Sequence, residues 1–212
     1  MPLYKIINFS PQTQIYIWKI DEPYAQLRKD VTLNERNEVR LNGMKSELHR
    51  RGFLSVRKIL QEVGYSDFDL TYDAFGKPHL KDGRHLSITH SHEFSAVIFS
   101  DQNIGIDMEK QRDKIVILDY KFAEFEMTWL NKNASDYMRK LTVVWGVKEA
   151  IFKIRNEAGI SFNDHIFVQP FEMHDLQTNV ILDFNKSRRT FSVYFEEMED
   201  FTLVYVLEKQ KS

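Results

Sequence analysis

The feature that most constrains the fold of this chain is a weak internal repeat, a long helix followed by strands. Glu93–Val97 and Asp200–Val204 have the same character: an acidic residue, a phenylalanine, a hydroxyl residue and two aliphatic residues. A helical stretch ends before each of them in a similar way, at Gly64 and at Gly159. Chance similarity is the alternative, because short strand patterns recur in many proteins. The repeat predicts an α+β fold of two similar halves, which would leave a cleft between them, the usual place for a small-molecule site.

The length of 212 residues allows one domain or two small ones of about 100 residues each. We place the boundary between an N-terminal half, residues 1–103, and a C-terminal half, residues 104–212. A charged fraction of 28% and a hydrophobic fraction of 42% indicate an ordinary globular protein, and a net charge of −2 gives no reason to expect nucleic-acid binding.

The chain contains no cysteine, which excludes disulfides and thiolate zinc sites. No apolar run approaches the roughly 20 residues of a membrane span. The N-terminal sequence lacks the charged start and apolar core of a signal peptide. We therefore expect a cytoplasmic protein that does not bind a membrane.

The segment Ile104–Glu109 has a period of two. Its apolar residues alternate with Gly105, Asp107 and Glu109, so the two carboxylates project from one face of a strand. The preceding apolar strand, Phe94–Phe99, is expected to pair with it as a hairpin.

The segment Trp145–Lys153 has helical spacing, which brings Trp145 and Glu149 to one side of a helix and sets Glu149 four residues before Lys153. Together with the two strand carboxylates, Glu149 would complete an all-oxygen site for Mg²⁺, and Lys153 could approach a substrate phosphate. The structural alternative is a pair of solvated strand-end charges beside an ordinary surface ion pair between Glu149 and Lys153.

Upstream, Thr32 is a candidate N-cap for a helical stretch that runs to about Leu60. Gly43 and Gly52 interrupt this stretch, so both two helices and one kinked helix are compatible with it. For the basic cluster His49-Arg50-Arg51 inside it, a solvated helix face is the favoured interpretation when the cluster is taken alone.

Two short motifs lie between this stretch and the paired carboxylates. Phe75-Gly76-Lys77-Pro78 is typical of a turn, in which Pro78 biases Lys77 towards extended geometry so that the lysine could approach an anion. Thr89-His90-Ser91 places a histidine between hydroxyl residues at the edge of a strand, where His90 could donate to phosphate or act in acid–base chemistry. A structural turn and a structural hydrogen bond are the alternatives.

In combination these motifs resemble the 4′-phosphopantetheinyl transferases of the Sfp type. The resemblance rests on Gly-Ile-Asp-x-Glu at Gly105–Glu109, followed about 40 residues later by Trp-x-x-Lys-Glu-Ala-x-x-Lys at Trp145–Lys153. The motifs Phe75–Pro78 and Thr89–Ser91 match in order and spacing, and the similarity spans roughly residues 35 to 160.

The resemblance implies a pseudo-twofold α+β fold that binds coenzyme A in the cleft between its halves. It also implies a reaction in which a serine hydroxyl of an acyl or peptidyl carrier protein attacks the β-phosphate of coenzyme A and 3′,5′-ADP leaves. The implied metal ligands for Mg²⁺ are Asp107, Glu109 and Glu149; the implied phosphate and nucleotide contacts are Lys153, His90, Lys77, Pro78 and Thr89. A carboxylate is expected to take the serine proton, directly or through water; Glu149 is our choice, but the sequence does not decide among the three.

Two departures from the family pattern concern coenzyme A. Thr89 stands where serine is common, and its hydroxyl is retained. Glu35 and Glu38 occupy positions where some members have lysines for the 3′-phosphate, which leaves Arg50, Arg51 or Lys45 as candidate substitutes, with Arg51 our choice.

The carrier protein is expected to dock near the basic loop Lys110–Lys114 and the aromatic side chains Phe122 and Phe125, although these aromatics could instead be core. A chain with an internal repeat is expected to be a monomer, an inference from the family. Two rival functions remain: a module that binds a carrier protein without turnover, and another Mg²⁺-dependent nucleotide enzyme. A glycine-rich phosphate loop, which would favour the latter, is absent from the sequence.

Overall fold

The computed structural model describes residues 3–209. The chain forms two compact units that divide between Asp101 and Gln102, and each unit has its own hydrophobic core. Each unit combines an antiparallel sheet with helices, so the fold is α+β, as predicted. None of the helices within residues 3–209 is long and apolar enough to cross a membrane.

The N-terminal unit is built around a four-stranded sheet. The strands of the whole unit are β1 (Leu3–Asn8), β2 (Gln14–Lys19), β3 (Leu70–Tyr72), β4 (Pro78–Leu80), β5 (His85–Ser91) and β6 (Phe94–Ser100). The α-helices of the unit are α1 (Tyr24–Asp30), α2 (Glu35–Gly43) and α3 (Glu47–Glu62). The main sheet has the order β1-β2-β6-β5, and β3 and β4 form a separate hairpin. Helix α3 packs on β2, β5 and β6 through an apolar face that includes Leu54, Ile59 and Leu60.

The helical stretch of the N-terminal unit differs in detail from the prediction. Thr32 is not its cap, since the side chain of Asn34 accepts the hydrogen bond from the amide of Asn37 at the start of α2. The stretch consists of two helices, because α2 ends at Gly43, whereas Gly52 lies inside the continuous helix α3.

The C-terminal unit is a five-stranded antiparallel sheet covered by one long helix. Its strands are β7 (Ile104–Lys110), β8 (Ile166–Val168), β9 (Gln177–Phe184), β10 (Ser187–Met198) and β11 (Phe201–Glu208), and its α-helices are α4 (Glu124–Met127), α5 (Tyr137–Arg155) and α6 (Phe162–His165). The sheet has the order β7-β11-β10-β9-β8, and α5 packs on β7, β11 and β8. A 3₁₀ segment, Asp113–Lys121, precedes α4.

The predicted hairpin between Phe94–Phe99 and Ile104–Glu109 is wrong. Strand β6 is hydrogen-bonded to β2 on one side and to β5 on the other, so both of its edges are occupied. Strand β7 pairs instead with β11, from Ile104 opposite Leu207 to Lys110 opposite Phe201. Because neighbours in sequence do not pair here, the chain passes from one sheet to the other at this point.

The two predicted repeat segments begin corresponding strands. Glu93–Val97 leads into β6, and Asp200–Val204 leads into β11; each strand is the second of a tight hairpin and is flanked by partners on both sides. Each unit also has its longest helix on its sheet. The pseudo-twofold relation and the cleft remain predictions.

Candidate active site

Two glycines allow α5 to lie directly against the sheet of the C-terminal unit. A Cβ atom on Gly105 would lie 2.2 Å from the carbonyl oxygen of Ala150, and one on Gly146 would lie 2.8 Å from Cγ2 of Val204. Real Cβ atoms do not approach so closely, because these distances are well inside van der Waals contact. The glycines of the two motifs therefore bring the carboxylate strand β7 close to the helix that carries Glu149.

Asp107 and Lys153 form the central ion pair of this arrangement. Nζ of Lys153 donates to Oδ1 of Asp107 at 2.7 Å and to the carbonyl oxygen of Ile106 at 2.9 Å. The Asp107 side chain is 7% exposed, whereas that of Lys153 is 29% exposed and so reaches solvent. Within residues 3–209, the ion pair of Lys153 thus joins the helix to the strand, whereas the structural alternative had paired Lys153 with Glu149.

The other two carboxylates lie close enough to Asp107 to feel its charge. Burial, reinforced by Asp107, raises the pKa of Glu109 to about 7, against the opposing hydrogen bond that Nε1 of Trp145 donates to its Oε1 at 3.3 Å. Burial and the charge of Asp107 also raise the pKa of Glu149, which Lys153 and Lys121 partly oppose. The site therefore concentrates more negative charge than its lysines balance.

This excess of carboxylate oxygen is the donor chemistry that a hard divalent cation requires. Among the described residues, no three acidic or histidine side chains converge into a cage that could hold a metal ion by themselves. Mg²⁺ in substrate-phosphate sites usually takes one or two carboxylates and completes its shell with phosphate and water, so the donor set fits such a site.

Thr89 and His90 lie on β5, at the edge of the N-terminal sheet. Thr89 is 5% exposed, whereas His90 is exposed and its ring faces that of His49 on α3, with 6.3 Å between the ring centroids. A Cβ atom on Gly52 would lie 3.1 Å from Cγ and Nδ1 of His90. Gly52 therefore makes room for the His90 ring, a reason for its presence within the helix that periodicity did not reveal.

Arg51 donates to two backbone carbonyl groups, and its expected contact with the 3′-phosphate remains a prediction. Its Nε donates to the carbonyl oxygen of Glu22 at 2.9 Å and its Nη2 donates to that of Ile20 at 2.5 Å. Arg50 likewise donates to the carbonyl oxygen of Met44. Of the three candidate substitutes for the missing lysines, Lys45 is the exposed one.

Lys77 and Pro78 are half-buried in the hairpin that joins β3 to β4. This loop is held by hydrogen bonds to Asp73. These two residues, together with Thr89, His90 and Arg51, belong to the N-terminal unit, and the three carboxylates and Lys153 belong to the C-terminal unit.

The expected docking aromatics divide between core and surface. Phe122 is 5% exposed and belongs to the core of the C-terminal unit, so its proposed docking role is wrong. Phe125 is 38% exposed, and the preceding 3₁₀ segment adds three further exposed apolar side chains: Val116, Ile117 and Tyr120. Lys110 at the start of the basic loop is paired with Asp200 at 3.0 Å.

Lys148 is a buried lysine within the Trp145–Lys153 motif, for which the motif alone predicted no role. It is fully buried, and its Nζ donates to Oε1 of Glu126 at 2.9 Å and to the carbonyl oxygens of Phe162 and Ile166 at 2.7 and 2.6 Å. Glu126 in turn accepts from the amides of Val168 and Ala123, each at 2.8 Å. The network ties α5 to α4, α6 and β8.

A signal for this burial was available in the sequence. Lys148 lies four residues after Val144 and three before Ile151, positions that a helix places on one apolar face. A lysine on such a face needs a buried acceptor, since an unpaired charge there is costly.

Residues 103–206 match the family model described as the 4′-phosphopantetheinyl transferase superfamily. Among curated proteins, 4′-phosphopantetheinyl transferase gsp of Aneurinibacillus migulanus is 24% identical over 152 residues, which cover 69% of this chain and 62% of that protein. The Bacillus subtilis (strain 168) protein Sfp, also a 4′-phosphopantetheinyl transferase, is 26% identical over 154 residues, covering 66% of this chain and 69% of that protein.

The chain thus spans less than two thirds of the gsp protein. Among solved structures, the holo-acyl-carrier-protein synthase AcpS of Thermotoga maritima aligns at a TM-score of 0.35 and 16% identity, over 51% of this chain and 64% of that one. A similarity at that level carries no argument about this fold.

Proposed function

From the match of residues 103–206 to the model described as the 4′-phosphopantetheinyl transferase superfamily, we infer that this chain belongs to that superfamily and transfers phosphopantetheine from coenzyme A to a carrier protein. In the proposed reaction the carrier serine oxygen forms a bond to the β-phosphorus of coenzyme A. The bond from that phosphorus to the bridging oxygen breaks, and 3′,5′-ADP leaves with the electron pair. The serine proton passes to a carboxylate of the enzyme.

The observation that carries this proposal is the grouping of Asp107, Glu109 and Glu149 around one lysine, Lys153. Phosphoryl transfer requires positioning and neutralisation of charge more than covalent help from the protein. Lys153 reaches solvent from its pair with Asp107 and is proposed to bind a phosphate oxygen of coenzyme A. Glu149 is proposed to accept the serine proton, directly or through water.

Asp107, Glu109 and Glu149 are also the proposed source of Mg²⁺ ligands, of which one or two would bind the ion while phosphate and water complete its shell. The ion would neutralise charge on the pyrophosphate when bound. Burial, together with the charge of Asp107, raises the pKa of Glu109 and of Glu149; this supports the proposal, because a cation at the site would stabilise both carboxylates in their charged form.

The proposed coenzyme A contacts of the N-terminal unit are His90 to phosphate, and Lys77, Pro78 and Thr89 to the nucleotide end. Exposure of the His90 ring beside Gly52 supports the first. Because Arg51 is held by two backbone carbonyls, we propose Lys45 for the 3′-phosphate in its place.

The proposed carrier-docking surface consists of the exposed apolar side chains of residues 116–125, namely Val116, Ile117, Tyr120 and Phe125. Such a group of solvent-exposed apolar side chains is typical of a protein-binding site. The charge of Lys114 would assist encounter with an acidic carrier, whereas Lys110 is already paired with Asp200. An acyl or peptidyl carrier protein is the proposed partner.

The test is the intact mass of a purified apo carrier protein after incubation with this protein, coenzyme A and Mg²⁺. We expect a gain of one phosphopantetheine group, abolished by EDTA and by Glu149→Gln. Glu62→Gln, an exposed glutamate at the end of α3, is the matched control and should retain turnover.

Tight binding of coenzyme A without transfer to several carriers would instead support the non-catalytic docking module. Failure to bind coenzyme A at all would refute both functions. The monomeric state is a further proposal, which light scattering of the purified protein tests; the cytoplasmic location and the lack of nucleic-acid or membrane binding remain predictions.

A further inference from the structure

The loop that carries Lys77 is organised by a single side chain, Asp73. Its Oδ1 accepts hydrogen bonds from the amides of Phe75 and Lys77, each at 2.9 Å, and its Oδ2 lies 3.2 Å from Nε2 of His79. Asp73 and Lys77 are also joined through their backbones, with the amide of Asp73 donating to the carbonyl oxygen of Lys77 at 3.0 Å. The Asp73 carboxylate therefore contacts three residues of this hairpin, Phe75, Lys77 and His79.

The loop between Asp73 and Lys77 contains one residue in a left-handed backbone conformation and one strongly exposed side chain. Gly76 adopts a φ of +87°, a conformation in which a residue with a side chain is strained, and its amide donates to the carbonyl oxygen of Asp73 at 3.1 Å. Phe75 is left at the tip with 73% of its surface exposed, so side-chain packing contributes little to the order of the loop. Two hydrogen bonds with Asp73 restrain the backbone of Lys77.

The carboxylate is stabilised in its charged form. Burial opposes ionisation of Asp73, but the hydrogen bonds from the Lys77 amide, His79 and the Phe75 amide outweigh this and lower its pKa. The side chain is thus an acceptor throughout the neutral pH range. It contacts backbone amides rather than the Lys77 ammonium group in these bonds, which indicates a structural action on the loop.

We propose that Asp73 is a positioning residue that sets the affinity for coenzyme A by holding the Lys77 loop in its binding geometry. The inference rests on the proposed function, in which Lys77 contacts the nucleotide end of coenzyme A. If the loop opens, only the closed fraction binds, and the apparent affinity falls by that fraction.

The test compares Asp73→Ala with Asp73→Asn. The alanine variant removes the acceptor, and we expect it to raise the KM for coenzyme A about tenfold while kcat stays within about twofold. Asparagine retains an Oδ1 acceptor for both amides, so Asp73→Asn should remain close to the unaltered protein. Asp82→Ala is the matched control, since Asp82 accepts from the amide of Arg84 in the next turn but does not bind the Lys77 loop.

Native-state chymotrypsin cleavage gives a second readout that does not depend on activity. Cleavage after the exposed Phe75, identified by fragment mass, should be faster in Asp73→Ala than in Asp73→Asn or Asp82→Ala. An active Asp73→Ala variant with an unchanged KM would overturn the inference, as would an Asp73→Asn variant as impaired as the alanine variant. Failure of the unaltered protein to bind coenzyme A would instead refute the proposed function and, with it, any role of Asp73 in that binding.

Discussion

Replacing Lys148 with methionine should destabilise the C-terminal unit strongly. The substitution removes the cation from a fully buried pair, because both the Lys148 and the Glu126 side chains are 0% exposed. It also leaves the carbonyl oxygens of Phe162 and Ile166 without the donor that they share. Methionine preserves most of the volume of the side chain, so the effect measures charge and hydrogen bonding rather than a cavity.

The expected magnitude follows from the state of the remaining partner. Removal of one member of a buried ion pair costs about 3–5 kcal/mol, since the other charge is left uncompensated in a medium of low polarity. In a chain of this size such a loss lowers the melting temperature by roughly 6–20 °C. The partly exposed pair of Arg189 and Glu208, joined at 3.0 Å, is the control, and Arg189→Met should cost about 0–1 kcal/mol.

The dependence of stability on pH distinguishes the contribution of Glu126 from that of Lys148. Burial raises the pKa of Glu126 against the opposing charge of Lys148, and Lys148→Met removes that opposition. A carboxyl group with a raised pKa in the folded state contributes stability that is complete below its unfolded pKa and is lost as the pH rises through the folded pKa. Lys148→Met should therefore be more stable at pH 5 than at pH 8, relative to the unaltered protein.

Glu126→Gln should show the opposite dependence. Burial lowers the pKa of Lys148, and loss of the glutamate charge lowers it further. A lysine with a lowered folded pKa contributes stability present above its unfolded pKa and lost as the pH falls through the folded pKa. Glu126→Gln should therefore lose stability as the pH falls from 9 to 6.

Urea unfolding followed by circular dichroism, at pH values from 5 to 9, measures all of these effects. A loss below about 1 kcal/mol in Lys148→Met, or a dependence on pH of the same sign in both variants, would refute the reasoning. The double variant Lys148→Met with Glu126→Gln should recover part of the loss at pH 8, because neither position then carries a charge.

Two further predictions each compare a pair of positions that hold the same residue type but differ in burial or packing. Gly146→Ala should lower the free energy of unfolding in urea by about 1–3 kcal/mol, because the new Cβ atom would lie 2.8 Å from Cγ2 of Val204. Gly43→Ala is the control and should be neutral or stabilising, since no atom lies within 4 Å of its new Cβ atom. Equal effects of the two substitutions would contradict the close packing of α5 on the sheet. Phe125→Ser should raise the KM for the carrier protein with little change in stability, because Phe125 is exposed. Phe122→Ser, at a buried position, should destabilise the protein by about 3–5 kcal/mol. If Phe125→Ser leaves the KM for the carrier protein unchanged, Phe125 is not part of the docking surface.

Much of the C-terminal unit could be predicted because its signals are local. The alternation of Ile104–Glu109 and the helical spacing of Trp145–Lys153 appear as β7 and α5. Periodicity reports which face a residue occupies, and that is enough to align two carboxylates on a strand. The close approach of the helix to the strand was not predicted, although Gly105 and Gly146, which permit it, were both inside the motifs.

The features that the sequence did not predict share a different origin. The partner of β7 proved to be β11, about 100 residues further along the chain, instead of the adjacent β6. Phe122 and Phe125 are three residues apart and of one type, yet only the first is buried. Arg51 appeared in a basic cluster, but the carbonyl groups that bind it belong to a segment about 30 residues earlier.

The amino-acid sequence by itself determined the residue types of the site, their order and the strand and helix that carry them, because these depend on interactions within a few residues. Only the tertiary structure decided that Lys153 pairs with Asp107, that Lys148 is buried against Glu126 and that Asp73 closes the Lys77 loop. The first two of these contacts join residues distant in sequence, and all three depend on three-dimensional geometry. Their energy depends on burial and on the exact separation of donor and acceptor, which periodicity does not encode.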